Sequence, residues 1–176
     1  DALGTIYRSG MRALVLMNGL IDIARLRRGD KTASNSTINI QKLLERGITQ
    51  WKKFHPGMLV EFEMYNDAGT EVMLGDEMLL AQLLTSSIAL VKGFFEEPAK
   101  VVVHVASDQD KLIFSISCTG PKHRAASALD IEMHGIIGSE IIKLHNGMIR
   151  QADESEVEAE FEFSLPMGAN ALQPAA

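Results

Sequence analysis

The chain has one cysteine, one tryptophan and five prolines in 176 residues, and only 17 basic side chains against 23 acidic ones. Each shortage excludes something. A lone thiol, Cys118, cannot close an intramolecular disulfide, which fits a reducing compartment. A net charge of −6 and a pI near 5.4 argue against a nucleic-acid binder, because phosphate contacts need clustered Lys and Arg. The one basic cluster, Arg25, Arg27, Arg28 and Lys31, falls where a helix should end, and there cations complement the helix dipole. No apolar run reaches the roughly 18 residues of a membrane span. A start methionine is also missing, so Asp1 is expected to be a boundary with further protein before it.

What is present is a globular composition, 46% hydrophobic and 23% charged, with enough length for one good-sized domain and an appendage. Leu3, Tyr7, Gly10, Leu14, Met17, Ile21 and Ala24 recur every three or four positions, a heptad-like stripe on a helix over 2–28 that Gly29-Asp30 ends. Such a helix, roughly 40 Å long, cannot bury its stripe alone and needs a second helix. After a polar connector from Lys31, a short strand is expected at Thr37–Ile40. A clean amphipathic helix follows, carrying Ile40, Leu43, Leu44, Ile48, Trp51 and Phe54 up to Pro56-Gly57. Val60, Phe62 and Met64 alternate with polar neighbours as a half-buried strand does, and 71–74 makes a second short strand.

Gly75-Asp76 opens a helix that is apolar on most sides, with Met78, Leu79, Leu80, Leu83, Leu84, Ile88 and Val91, and Asp76 is placed as its N-cap. Residues 100–106 and 111–118 read as a hairpin. A last helix carries Met133, Ile137, Ile141 and Leu144 and stops at Asn146-Gly147. A final hairpin spans 148–152 and 157–165, before a tail at 168–176. Three helices among mostly hairpin-linked strands predict an α/β chain of the α+β kind. The expected form is a two-layer sandwich with a mixed sheet covered by three helices, preceded by one long helix. The expected units are 1–30, 31–167 and 168–176, and no internal repeat is visible.

The segments MNGLIDIARLRRGD (17–30), INIQKLLERGI (38–48), GDEMLLAQLL (75–84) and IIKLHNGMIRQADESEVEAEFEFSLP (141–166) resemble sensor histidine kinases. The likeness runs from the second dimerisation helix through the ATP-binding domain and spans nearly the whole chain. The resemblance implies a bacterial, cytoplasmic two-component protein, a homodimer through the helix at 2–28 and a response-regulator receiver domain as partner. It also implies a nucleotide site, and there this sequence departs from the family. The helix that supplies magnesium-ligating asparagines has Ser86 and Leu90 in those places, and leucine offers Mg²⁺ no oxygen. Where the family has an aspartate for the adenine amino group, followed by two glycines, SISCTGPKHR has Cys118, then Gly120, then Lys122. The glycine-rich phosphate stretch is reduced to Gly135 and Gly138, whose three-residue spacing suits close helix–sheet packing. Lys122, His123 and Arg124 could attract an anion at the pocket mouth, and the segment from Gly120 to the last helix is too short for a full lid.

None of His55, His104, His123, His134 and His145 has the setting of a phosphoacceptor, which the resemblance places before Asp1. No catalytic residue, no metal ligand and no cofactor is therefore expected. The chain also looks similar to ChpT-type histidine phosphotransferases, which share the architecture without binding nucleotide. Three functions compete: a phosphotransferase, a pseudokinase that relays conformation, and an active kinase domain using ATP and Mg²⁺.

Overall fold

A computed structural model describes residues 2–29, 33–122, 128–154 and 158–168. Asp1, Lys31, His123, Arg124, Val157 and most of the tail, named above, lie outside the described residues. Eleven elements follow one another in the anticipated order. They are α1 (Ala2–Arg27), β1 (Ser36–Asn39), α2 (Ile40–Phe54), β2 (Val60–Asn66), β3 (Val72–Gly75), α3 (Glu77–Lys92), β4 (Ala99–Asp108), β5 (Lys111–Thr119), α4 (Ala128–Leu144), β6 (Met148–Glu154) and β7 (Glu158–Pro166).

The strands form two sheets. Five make a mixed sheet in the order β2-β4-β5-β7-β6, and β1 and β3 pair separately as a small antiparallel ribbon. The β2–β4 pair is parallel, and the long connection between them carries β3 and α3. Val101, Val103 and Val105 of β4, Phe114 and Ile116 of β5, and Phe161 and Phe163 of β7 all point to one face. Against that face lie α2, α3 and α4, giving the α+β two-layer arrangement. Phe114 and Phe163 stack at 5.1 Å between ring centroids, 6° from parallel, in the middle of the interface.

Local chemistry explains the helix starts. Asn39 caps α2 by accepting from the Lys42 N–H, so Ile40 is the first helical residue and not the last of the strand. Asp76 Oδ1 accepts from the Met78 and Leu79 N–H groups and fixes the start of α3. α3 is the central helix, with α2 and α4 on either side and β5 and β7 beneath it. Its first turn differs from expectation, since Met78 is exposed at the rim while Leu79, Leu80, Leu83 and Leu84 are buried.

α1 divides its surface between two jobs. Ile23 is buried, and a Cβ at Gly19 would run into the Gln82 amide and lie 3.5 Å from Ile137 Cδ1, so this side rests on α3 and α4. Arg27 pairs with Glu140 of α4 at the same contact. The heptad stripe faces the other way: Leu3, Tyr7, Leu14, Met17 and Ile21 are all exposed.

Candidate functional site

Of the positions that the sequence singles out, Ser86 and Leu90 lie on α3, Gly135 and Gly138 on α4, Cys118 near the end of β5, and Gly120 and Lys122 just beyond it. Ser86 is buried on α3 and Leu90 half-buried one turn on. α4 crosses directly over this part of α3. An added Cβ at Gly135 would lie 4.0 Å from Leu90 Cδ1, and one at Gly138 would lie 3.6 Å from Leu83 Cδ1. The two glycines therefore face α3 leucines, a helix–helix contact where helix–sheet packing was expected. Close to them, a Cβ at Gly93 would come within 2.9 Å of Ile131 Cγ1, closer than packed side chains allow. Around Leu83 and Leu90, α4 therefore meets α3 through hydrocarbon.

Cys118 sits at the end of β5, fully buried, in register between Val101 of β4 and Ala159 of β7. Burial pushes its thiol up to about 11, with the Lys92 charge pulling the other way. The group is thus a neutral S–H at physiological pH, with no charge to offer an adenine amino group. Its Sγ lies 3.9 Å from the Thr119 carbonyl oxygen, a weak contact within the strand end.

Lys92 was missed by sequence reasoning, which read α3 for its apolar residues only. It is the last residue of the helix and only 8% exposed. Its Nζ donates to the Phe95 carbonyl at 2.6 Å, so the ammonium turns back into the domain, within electrostatic reach of Cys118. A lysine at the end of a helix that is apolar on nearly every side was the available signal, since such an end has no wet face to turn to.

Gly120 follows β5 where the chain passes the start of β4. A side chain there would press on the Pro98 carbonyl at 3.1 Å and Ala99 Cβ at 3.2 Å, a tight approach that favours glycine. Beyond it the chain is fastened to the segment after α3: Lys122 bridges Phe95, and Glu96 N–H donates to the Pro121 carbonyl at 2.7 Å. Lys122 Nζ lies over the Phe94 and Phe95 rings, 5.4 and 5.6 Å from their centroids. A groove of about 710 Å³ beside this point, lined by Met58, Leu59, Pro98 and Ala99, includes Gly120 but none of Ser86, Leu90 and Cys118.

The described histidines have structural settings. His55 stacks on Trp51 at 4.3 Å and shares a proton contact with the Trp51 carbonyl. His104 pairs with Asp67 on the sheet surface, and His134 lies on α4. His145 is buried between the end of α4 and the start of α3, with Nδ1 2.9 Å from the Ile141 carbonyl.

No protein-family model matches the sequence, and no curated protein does. Solved structures do. The nucleotide-free catalytic domain of histidine kinase ThkA superposes with a TM-score of 0.63 at 16% identity, over 76% of this chain and 96% of that one. The Acinetobacter baumannii histidine kinase AdeS gives 0.67 at 14% identity, over 86% of this chain and 76% of that one. Full-length ShkA, solved in complex with AMPPNP, gives 0.71 at 21% identity, over 99% of this chain and 39% of that one. At these identities the likeness is one of fold. No described helix is long and apolar enough to cross a membrane.

Proposed function

Starting from the fold of a histidine-kinase catalytic domain behind a long helix, we propose that this chain works in two-component signalling as a degenerate domain of that type. On this reading it is a histidine phosphotransferase or a pseudokinase that docks the receiver domain of a response regulator and uses no ATP. The observation that carries the reading is Cys118. A buried neutral thiol stands where the resemblance calls for a carboxylate. Leu90, without an oxygen, adds to it at the metal position, where hard-cation chemistry needs one.

Receiver domains carrying a fluorescent label, mixed with the full chain, test this reading. Binding is expected in the micromolar range, as for transient signalling contacts, and is expected to be the same with and without Mg-ATP. Phosphoryl incorporation from ATP into the chain or the receiver would contradict it. A second reading, an active kinase domain, draws support from the likeness to ShkA, whose solved complex contains AMPPNP. That same incorporation assay distinguishes the two.

The proposal includes self-association through α1, supported by the exposed Leu3, Tyr7, Leu14, Met17 and Ile21 stripe. Leu14→Glu places a charge in the middle of that stripe. It is expected to weaken self-association by roughly tenfold or more, since burying a leucine contributes about 1.5–3 kcal/mol. Light scattering across a dilution series reads the shift toward monomer. The circular dichroism spectrum should be unchanged, because Leu14 makes no contribution to the buried core.

A further inference from the structure

Asp76 joins three parts of the chain. Its Oδ1 caps α3 through the Met78 and Leu79 N–H groups. Its Oδ2 accepts from the Ser34 N–H at 2.9 Å, holding the connector that leads from α1 into β1. Its own N–H donates at 3.2 Å to Nε2 of His145, the residue that follows α4. Asp76 and His145 are both buried. The connector between the long helix and the α/β layer is thus tied to a carboxylate whose backbone rests on an imidazole.

The imidazole has little freedom. Nδ1 lies 2.9 Å from the Ile141 carbonyl, which can only accept, so Nδ1 carries the proton and Nε2 is the acceptor for Asp76. A Cβ on Gly75 would lie 3.3 Å from the ring, so the β3–α3 corner is pressed against it. Among the described residues, Asp76 is the charged group acting on this ring.

We propose that Asp76 and His145 form a proton-operated latch on the joint between α1 and the α/β layer. Protonation of Nε2 turns an acceptor into a donor. The Asp76 N–H then loses its partner and faces another N–H, while the Asp76 carboxylate is the charge that attracts the new donor. In turning toward the imidazolium, that carboxylate moves off its best geometry to Ser34 and to the first turn of α3. Ser34 is the single-bond side of the contest, so the connector loosens first, while α1 keeps its own packing on α3 and α4 through Ile23 and Arg27. The latch rests on these contacts and not on whether nucleotide binds.

The direction with pH follows from burial, which holds the His145 imidazole below its ordinary value, with the Ile141 carbonyl and Asp76 opposing. The unfolded chain therefore takes up this proton more readily than the folded one. The contribution to stability is complete above about pH 6.5 and is lost as pH falls toward the folded value.

The test uses the full chain and two signals. Amide exchange gives the protection factor of Ser34 as pH is lowered from about 8 to 5, and ¹⁵N shifts follow the His145 ring over the same range. The latch requires both to change with one midpoint below about 6.5, with Ser34 protection falling about tenfold while the β4 amides from Val101 to Val105 keep theirs. His145→Gln, whose side-chain oxygen can still accept from Asp76, should keep Ser34 protection flat across the range. If that variant does not fold, the wild-type comparison decides alone. Different midpoints for the ring and the amide, loss of Ser34 protection only together with β4, or an undiminished pH response in a folded His145→Gln chain would each overturn the latch.

Discussion

Cys118→Asp, which places a carboxylate where the resemblance to sensor kinases expects one, is expected to leave the chain unable to bind Mg-ATP, and in a Lys92→Met background to destabilise the fold severely. The reason is the buried ammonium. Lys92 is 8% exposed, donates to the Phe95 carbonyl at 2.6 Å, and already acts electrostatically on the Cys118 thiol. A carboxylate at 118 would be drawn to that charge before any adenine amino group, and Leu90 would still present hydrocarbon to the cation. With Lys92 gone, the same carboxylate would be an unpaired charge in the core. Removing one partner of a buried ion pair costs about 3–5 kcal/mol, and that is the expected gap between Cys118→Asp with and without Lys92→Met. Urea unfolding of wild type, both single variants and the double variant gives the cycle directly. Equal destabilisation in the two backgrounds would mean that Lys92 does not reach position 118.

Phe163→Ala should remove about 3–5 kcal/mol of unfolding free energy, a large share of the roughly 5–15 kcal/mol typical of a domain. Phe163 is fully buried in β7, stacked on Phe114 at 5.1 Å and tilted against Phe161 at 5.8 Å, directly beneath the helices. Its loss leaves a cavity between the two layers, where neither the sheet nor α3 can collapse to fill it. Glu61→Ala, exposed on β2, is the comparison and should change stability by less than about 0.5 kcal/mol. Thermal or urea denaturation separates the two, and similar losses would place the core elsewhere.

Local patterning carried the element order well. The N-cap at Asp76 and the alternation in β4 are short-range properties, written within a few residues of where they act. The heptad stripe of α1 was equally legible, and its exposure in the single chain is the physical reason a partner helix is sought. What patterning left unread depends on residues far apart in the chain. The separate β1–β3 ribbon and the parallel β2–β4 pair are decided by contacts across the α2 and α3 connections. Met78 lies at the rim because nothing covers the start of α3 on that side, which its apolar neighbours cannot reveal.

The site was legible as substitutions and not as packing. Leu90 and Cys118 stood out by identity alone, because the resemblance expects an oxygen ligand and a carboxylate in their places. That Gly135 and Gly138 lie against Leu90 and Leu83 depends on how α4 crosses α3, a tertiary matter. Lys92 went unnoticed because a lysine in the last turn of a helix ordinarily serves the dipole from the surface. Here the helix end is buried and the side chain turns inward. The sequence set His145 aside only as lacking a phosphoacceptor's setting, and its contact with Asp76, 69 positions earlier, could only come from the fold.

Titration of the isotopically labelled chain with Mg-ATP, following the Leu90 methyl groups and the Cys118 amide, tests most directly the proposal that this domain uses no nucleotide. Both sets of signals should stay in place up to millimolar nucleotide, a range in which binding worth even about 4 kcal/mol would move them. Saturable shifts at Leu90 and Cys118 with a micromolar midpoint would contradict it, because a hydrocarbon and a neutral thiol would then be lining an occupied site.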